Sequence, residues 1–156
     1  MLELQIIEAD YDNETHAAAV LRLTDMYVRD EMGMDEPMPN ATRIRLIEKL
    51  QELPNAFTLL AVHKKKAVGI ANCFICFSTF EGRRVINIHD LAVIPRLRGL
   101  GIGKRMLRAI QNKAKKMDCC RITLEVRQDN PAVDLYERFG FDNGNPPMLF
   151  MSKELY

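Results

Sequence analysis

The chain has 156 residues, 47% hydrophobic and 28% charged, with a net charge of +1. That is enough for one soluble globular domain, residues 1–156, with a substantial core. No apolar run has the length of a membrane span, the basic segment lacks the interleaved aromatics of a nucleic-acid surface, and the N-terminus (Met1-Leu2-Glu3-Leu4-Gln5) lacks the basic start and cleavage site of a secretory signal.

Leu2–Glu8 alternates apolar and polar residues as a strand. Asn13 is placed to cap a helix running to about Met32, with Val20, Leu21, Leu23, Thr24 and Tyr27 on one stripe. Gly33 to Pro39 is a loop. Asn40 is expected to cap a second helix through Leu53. Phe57–His63 and Ala67–Phe80 read as strands joined at Lys64-Lys65-Lys66, and Glu81-Gly82 makes the next turn. Arg84–Ile94 is a further strand that Pro95 stops. Lys104–Met117 is amphipathic, with Met106, Leu107, Ile110 and Ala114 on one face. Arg121–Arg127 is a strand. Asn130-Pro131 opens a short helix with proline first, and Gly140 closes it. Met148–Lys153 is expected as a last strand. The order is that of a mixed α/β (α+β) sandwich, with one strand-helix-strand unit resembling a parallel crossover.

Charge is unevenly distributed. Residues 1–60 hold 5 Lys and Arg against 12 Asp and Glu, whereas residues 81–121 hold 11 against 3. An acidic front and a basic middle suit a cationic substrate and an anionic cofactor, or they are scattered solvated charge. Cys73 and Cys76 have CxxC spacing, but residues three apart on a strand face opposite ways. No second CxxC or histidine pair completes a metal site. The four cysteines read as small hydrophobes in a reducing cytoplasm, and no metal is expected.

The most informative stretch is Arg98-Gly99-Leu100-Gly101-Ile102-Gly103-Lys104. Its three glycines leave the inner rim of a loop without side chains, and the helix that follows adds the positive end of its dipole. Backbone amides so placed cradle an anion, most naturally a diphosphate. A Walker loop does not fit, because Lys104 is followed by Arg105 rather than a hydroxyl residue. A dinucleotide fingerprint does not fit either, because the spacing is GxGxG and lies mid-chain.

Arg98, Gly101 and Gly103 form Arg-x-x-Gly-x-Gly after a strand ending in Val93-Ile94-Pro95. Downstream, Asn130-Pro131-Ala132-Val133-Asp134-Leu135-Tyr136-Glu137-Arg138-Phe139-Gly140-Phe141 supplies a second signature. Together they resemble the GNAT N-acetyltransferase superfamily over about residues 60–142. The resemblance implies a single domain with a mixed, mostly antiparallel sheet, a splayed strand pair and helices on both faces. It implies acetyl-coenzyme A as cosubstrate, its pyrophosphate on the amides of Arg98, Gly99, Leu100, Gly101, Ile102, Gly103 and Lys104. The pantetheine arm would pair with Leu91, Ala92 and Val93 where their strand parts from the Ile122–Val126 strand, as an added strand does.

Acetyl transfer to an amine needs a neutral amine, a polarised carbonyl and a proton for the leaving thiolate. By resemblance, Tyr136 is the acid beside the sulfur; otherwise it is a core tyrosine. Asn130 contacts the cofactor or simply caps its helix. Strand alternation puts Asn87, His89 and Leu91 on one face and Ile88, Asp90 and Ala92 on the other. His89-Asp90-Leu91-Ala92-Val93 is similar to the Glu-Asp-apolar-apolar-Val stretch of diamine and glucosamine-phosphate acetyltransferases, with His89 where those have the glutamate proposed as base. His89 is therefore either base or relay, or an ordinary strand histidine, and Asp90 has the option of orienting a neighbour. Asp30, Glu31, Asp35 and Glu36, with Asn87, border the expected acceptor side. They either draw in a cationic amine or are a polar exposed loop. The expected activity is acetylation of a small primary amine in the cytoplasm by a homodimer. A protein N-terminus or lysine as acceptor, and a coenzyme A-binding sensor without catalysis, remain alternatives.

Overall fold

A computed structural model describes residues 2–156, which cluster into two compact units that part after Leu124. The first unit holds a five-stranded sheet. Its elements are β1 (Gln5–Glu8), α1 (Glu14–Arg29), α2 (Asn40–Glu52), β2 (Ala56–His63), β3 (Lys66–Ser78), β4 (Arg83–Val93), α3 (Ile102–Lys116) and β5 (Arg121–Leu124). The strands lie in sequence order; the first three pairings are antiparallel and β4–β5 is parallel. The mixed sheet and the crossover through α3 are as the sequence implied.

Cross-strand partners share a face, which assigns the two layers. Val20 and Leu23 of α1 and Leu50 of α2 pack with Leu60, Ile70 and Ala92 on one face. On the other, α3 buries Ile102, Met106, Leu107, Ile110 and Ala114. The helix comes so close that a Cβ at Gly69 would stand 3.0 Å from Met106 Sδ and 3.2 Å from Ala61 Cβ. Each fully buried Leu or Ile stabilises this sandwich by about 1.5–3 kcal/mol.

Several boundaries move, those of α1 and α2 for local reasons. Asn13 caps α1 as expected, accepting the His16 N–H at 3.1 Å. That helix stops at Arg29 rather than Met32, because Asp30 turns extended and its carboxylate takes the Met32 N–H at 2.9 Å. Asn40 is the first residue inside α2 rather than its cap; Pro39 is the cap, and its carbonyl accepts the Arg43 N–H at 3.0 Å. The β2–β3 turn narrows to Lys64 and Lys65, both left-handed. At the other end, α3 starts at Ile102, two residues before the expected Lys104. β5 ends at Leu124 rather than Arg127.

The second unit, residues 125–156, holds α4 (Val133–Phe139). It begins two residues after the expected Pro131, because Asn130 Oδ1 takes the Ala132 N–H at 2.9 Å and closes a turn first. Gly140 ends it in the left-handed conformation at φ 110°, as the sequence signalled. Tyr136 is buried, with its ring edge-on to Phe141 at 5.9 Å. The expected strand over Met148–Lys153 is absent. A strand needs a partner, and the apolar run Met148-Leu149-Phe150-Met151 is exposed and unpaired with any strand among the described residues. Among the described residues, no helix is long and apolar enough to cross a membrane.

Candidate acetyl-transfer site

The glycine loop owes its residue types to its backbone. Gly99 and Gly101 lie at φ 78° and 85°, where any L-residue is strained. A Cβ on either would meet nothing within 4 Å, so the space above the loop is open. Arg105 donates the first α3 bond, to the Gly101 carbonyl at 3.1 Å. The amides of Ile102, Gly103 and Lys104 thus precede the helical ladder and project from its positive end. The first turn carries no acidic residue. These groups fit a diphosphate.

Arg98 does something the sequence did not show. Its Nε donates to the Val93 carbonyl at 3.0 Å, and its Nη2 donates to Asp30 Oδ2 at 3.0 Å. It ties the loop to the end of β4 and to the end of α1. The Met32 N–H, working against partial burial and helped by Arg98, holds the Asp30 carboxyl below its ordinary range. Asp30 is therefore committed to this tie. Glu31, Asp35 and Glu36 are exposed on the same α1–α2 loop. That loop is anchored from below by Asp25, whose carboxylate accepts the Met38 N–H, Arg29 Nε and Arg43 Nη1, each at 2.9 Å.

β4 carries the other half of the site. It pairs with β5 only from Val85 to Ile88, so His89–Val93 has no β5 partner. The Ile94 N–H donates to Val68 on the β3 side at 2.9 Å. Backbone alternation then turns the polar groups of Val93 and Leu91 to the edge away from β3. This is the opening that the sequence placed beside Leu91, Ala92 and Val93.

The side-chain faces of β4 need correcting. Asp90 pairs with Asn72 and Ile88 with Cys73, which leaves His89 as an extra residue in a β-bulge. Beyond the bulge the alternation reverses. Leu91, paired with Ala71, joins Ile88 on the α3 face; Asp90 and Ala92 join Asn87 on the α1 face. Asp90 therefore comes to His89: Nδ1 and Oδ1 are 3.2 Å apart. The His89 ring is largely exposed and stands edge-on to Phe74 at 5.8 Å. Behind them Asn72 Nδ2 donates to Asp90 Oδ2 at 2.9 Å. Asn87 is half-buried and donates to Thr123 Oγ1 at 3.1 Å.

Sequence reasoning missed Asn72 and Asp25. The one legible signal for Asn72 was a lone amide inside the apolar run Ala67–Phe80. Cys73 is buried and Cys76 exposed, both free, and burial pushes the Cys73 thiol up to about 12. Among the described residues, no three His, Cys, Asp or Glu are grouped to hold a metal ion.

The chain is similar to a putative ribosomal protein bS18-alanine N-acetyltransferase of Bacillus subtilis (strain 168), 38% identical over 58 residues. That match covers 36% of this chain and 38% of the relative. It is also similar to the thialysine N-epsilon-acetyltransferase of Bos taurus, 32% identical over 74 residues, covering 47% of this chain and 43% of the relative. The matched stretch thus spans about two fifths of each curated relative's length. In fold, it matches an aminoglycoside acetyltransferase from an uncultured soil metagenomic sample with a TM-score of 0.79, at 18% identity, over 98% of this chain and 97% of the other. The model of the acetyltransferase (GNAT) family matches residues 18–141 and runs across the boundary between the two units, and the chain belongs to that family.

Proposed function

We propose that the protein is an acetyl-coenzyme A-dependent N-acetyltransferase whose two units work as one domain on a primary amine of a small molecule. The observation that carries this reading is the open β4 edge leading to the first-turn amides of α3. Acetyl-coenzyme A supplies the acetyl thioester. Ile102, Gly103 and Lys104 hold its diphosphate through their amides, with Gly99, Leu100 and Gly101 shaping the loop and Arg98 bracing it. The edge groups of Leu91 and Val93 align the arm, and one N–H among them donates to the carbonyl oxygen as charge grows there. His89 takes the proton from the ammonium, directly or through water. The amine nitrogen bonds to the carbonyl carbon, the carbon–sulfur bond breaks, Tyr136 gives its phenol proton to the departing sulfur, and the second proton that the nitrogen sheds returns through water to the phenolate. Asn130, whose side chain closes the turn before α4, contributes to the cofactor side. The exposed carboxylates Glu31, Asp35 and Glu36 attract a cationic acceptor, and Asn87 lies on the same sheet face as His89.

A second reading has a peptide N-terminus as acceptor, and the similarity to an alanine N-acetyltransferase of a ribosomal protein favours it. Thiol release from acetyl-coenzyme A decides, measured against thialysine, polyamines, aminoglycosides and an alanine-ended peptide. Turnover is expected on a small amine, falling about a hundredfold in Tyr136→Phe with coenzyme A affinity retained. Preference for the peptide selects the second reading. Binding without turnover on any amine removes both and leaves a coenzyme A-binding module.

A further inference from the structure

The polar groups behind His89 form one connected chain on the α1 face of the sheet. Asn72 is at its centre, mid-strand and only 5% exposed. Its Oδ1 accepts from Thr58 Oγ1 at 2.8 Å, and its Nδ2 donates to Thr24 Oγ1 at 3.0 Å and to Asp90 Oδ2 at 2.9 Å. Both N–H groups and the carbonyl of the amide are thus used. Thr58 Oγ1 also lies 2.9 Å from the Tyr11 hydroxyl.

Counting protons fixes the direction of every bond. An ionised carboxylate only accepts, so the amide group facing Asp90 is NH2 and the one facing Thr58 is the oxygen. Thr58 spends its single proton on that oxygen, so Tyr11 must donate to Thr58. Burial pushes the Tyr11 phenol above its ordinary pKa, and the proton stays there. At the far end Asp90, its side chain only 18% exposed, has one oxygen held by Asn72 and the other 3.2 Å from His89 Nδ1. A nitrogen facing a carboxylate oxygen carries hydrogen.

We propose that Asn72 is a positioning residue, whose buried amide fixes the Asp90 carboxylate so that Asp90 holds the Nδ1 proton of His89 and leaves the basic lone pair on Nε2. An apolar residue would pack at position 72 without needing three polar partners. The amide there specifies one orientation of a carboxylate that the bulge has turned inward. The inference rests on the reading of His89 as base, but its primary readout needs neither cofactor nor amine.

That readout is the His89 tautomer, seen by long-range 1H–15N correlation on the full chain at about pH 9, above the ordinary imidazole range. There are three histidines, and His89→Gln identifies the signal. Wild type is expected to hold Nδ1–H, against the preference of free histidine. Asn72→Leu is expected to shift His89 to a tautomer mixture and to lower kcat about tenfold, with KM for acetyl-coenzyme A unchanged. An Nε2–H tautomer in wild type overturns the proposal, whatever the variant does. So does an unchanged Nδ1–H tautomer in folded Asn72→Leu. Should that variant not fold, Thr58→Val frees the amide oxygen, together with the Tyr11 hydroxyl, and must move the tautomer the same way; no movement overturns the proposal. A responsive tautomer with no turnover on any amine keeps the positioning role and removes the acetyl-transfer reading. Turnover with an unresponsive tautomer does the reverse.

Discussion

Gly101→Asp tests the anion cradle, with Gly101→Asn as its control. Position 101 is left-handed at φ 85°, and nothing lies within 4 Å of a Cβ built there. Neither replacement clashes, and Asn and Asp tolerate this conformation better than other L-residues. The two side chains are nearly the same shape, so their difference is charge. A carboxylate one residue before the free amides of α3 would stand about 6 Å from a phosphate held on them. At an effective dielectric of about 20–40, the repulsion is about 1.4–2.8 kcal/mol per unit charge. Coenzyme A affinity should therefore fall ten- to a hundredfold more in Gly101→Asp than in Gly101→Asn, by titration calorimetry. Raising the salt from 0.05 to 0.5 M should shrink the gap, because both charges are near solvent. Equal affinities for the two variants at low salt would refute the placement of the diphosphate on this loop.

Asp25→Asn should destabilise the first unit. The burial of Asp25 is outweighed by the Met38 N–H and by Arg29 and Arg43, which together hold its carboxyl below the ordinary value. The ionised form is therefore favoured by folding, and its contribution is complete at neutral pH. It is lost as pH falls from the ordinary carboxylate range through the depressed folded value. Urea unfolding should show a loss of about 1–3 kcal/mol at pH 7 in the variant and a flatter stability curve between about pH 5 and 3; equal curves for both chains would exclude this role. The cysteines should separate kinetically, since the thiolate is the reactive form and Cys73 titrates only near about 12. Alkylation of the native chain at pH 8 followed by peptide mapping should modify Cys76 and spare Cys73 until urea is added. Equal labelling of the two would contradict the buried, α3-facing placement of Cys73.

Much of the glycine loop and its helix was legible because its causes are local. Gly101 and Gly140 announce left-handed positions, and the apolar stripe Met106, Leu107, Ile110 and Ala114 announces the face α3 buries. These features follow from chain chemistry within a few residues. Asn40 was misassigned for a related reason: two adjacent residues competed for one cap, and Pro39, with its fixed φ, took it. The strand expected at Met148–Lys153 failed because pairing is not local. An apolar run states that a strand is affordable, not that a neighbour exists.

The faces of β4 failed for a different reason, and that failure bears on chemistry. Alternation has period two, so one extra residue transfers everything beyond it to the opposite face. Nothing in His89-Asp90-Leu91 marks the extra residue. Yet the bulge lies where β4 loses β5, since pairing stops at Ile88. Bulges sharpen the local twist, and a strand that twists more than its parallel neighbour must part from it. One inserted residue thus accounts for two features: the open edge at Leu91 to Val93, and the arrival of Asp90 beside His89 on the face that carries Asn72. Without the insertion Asp90 would face α3, where a carboxylate has no partner among the side chains that the helix buries. The polar chain from Tyr11 to His89 and the splayed strand pair are therefore linked through the backbone at His89, and a site that needs both gains them together.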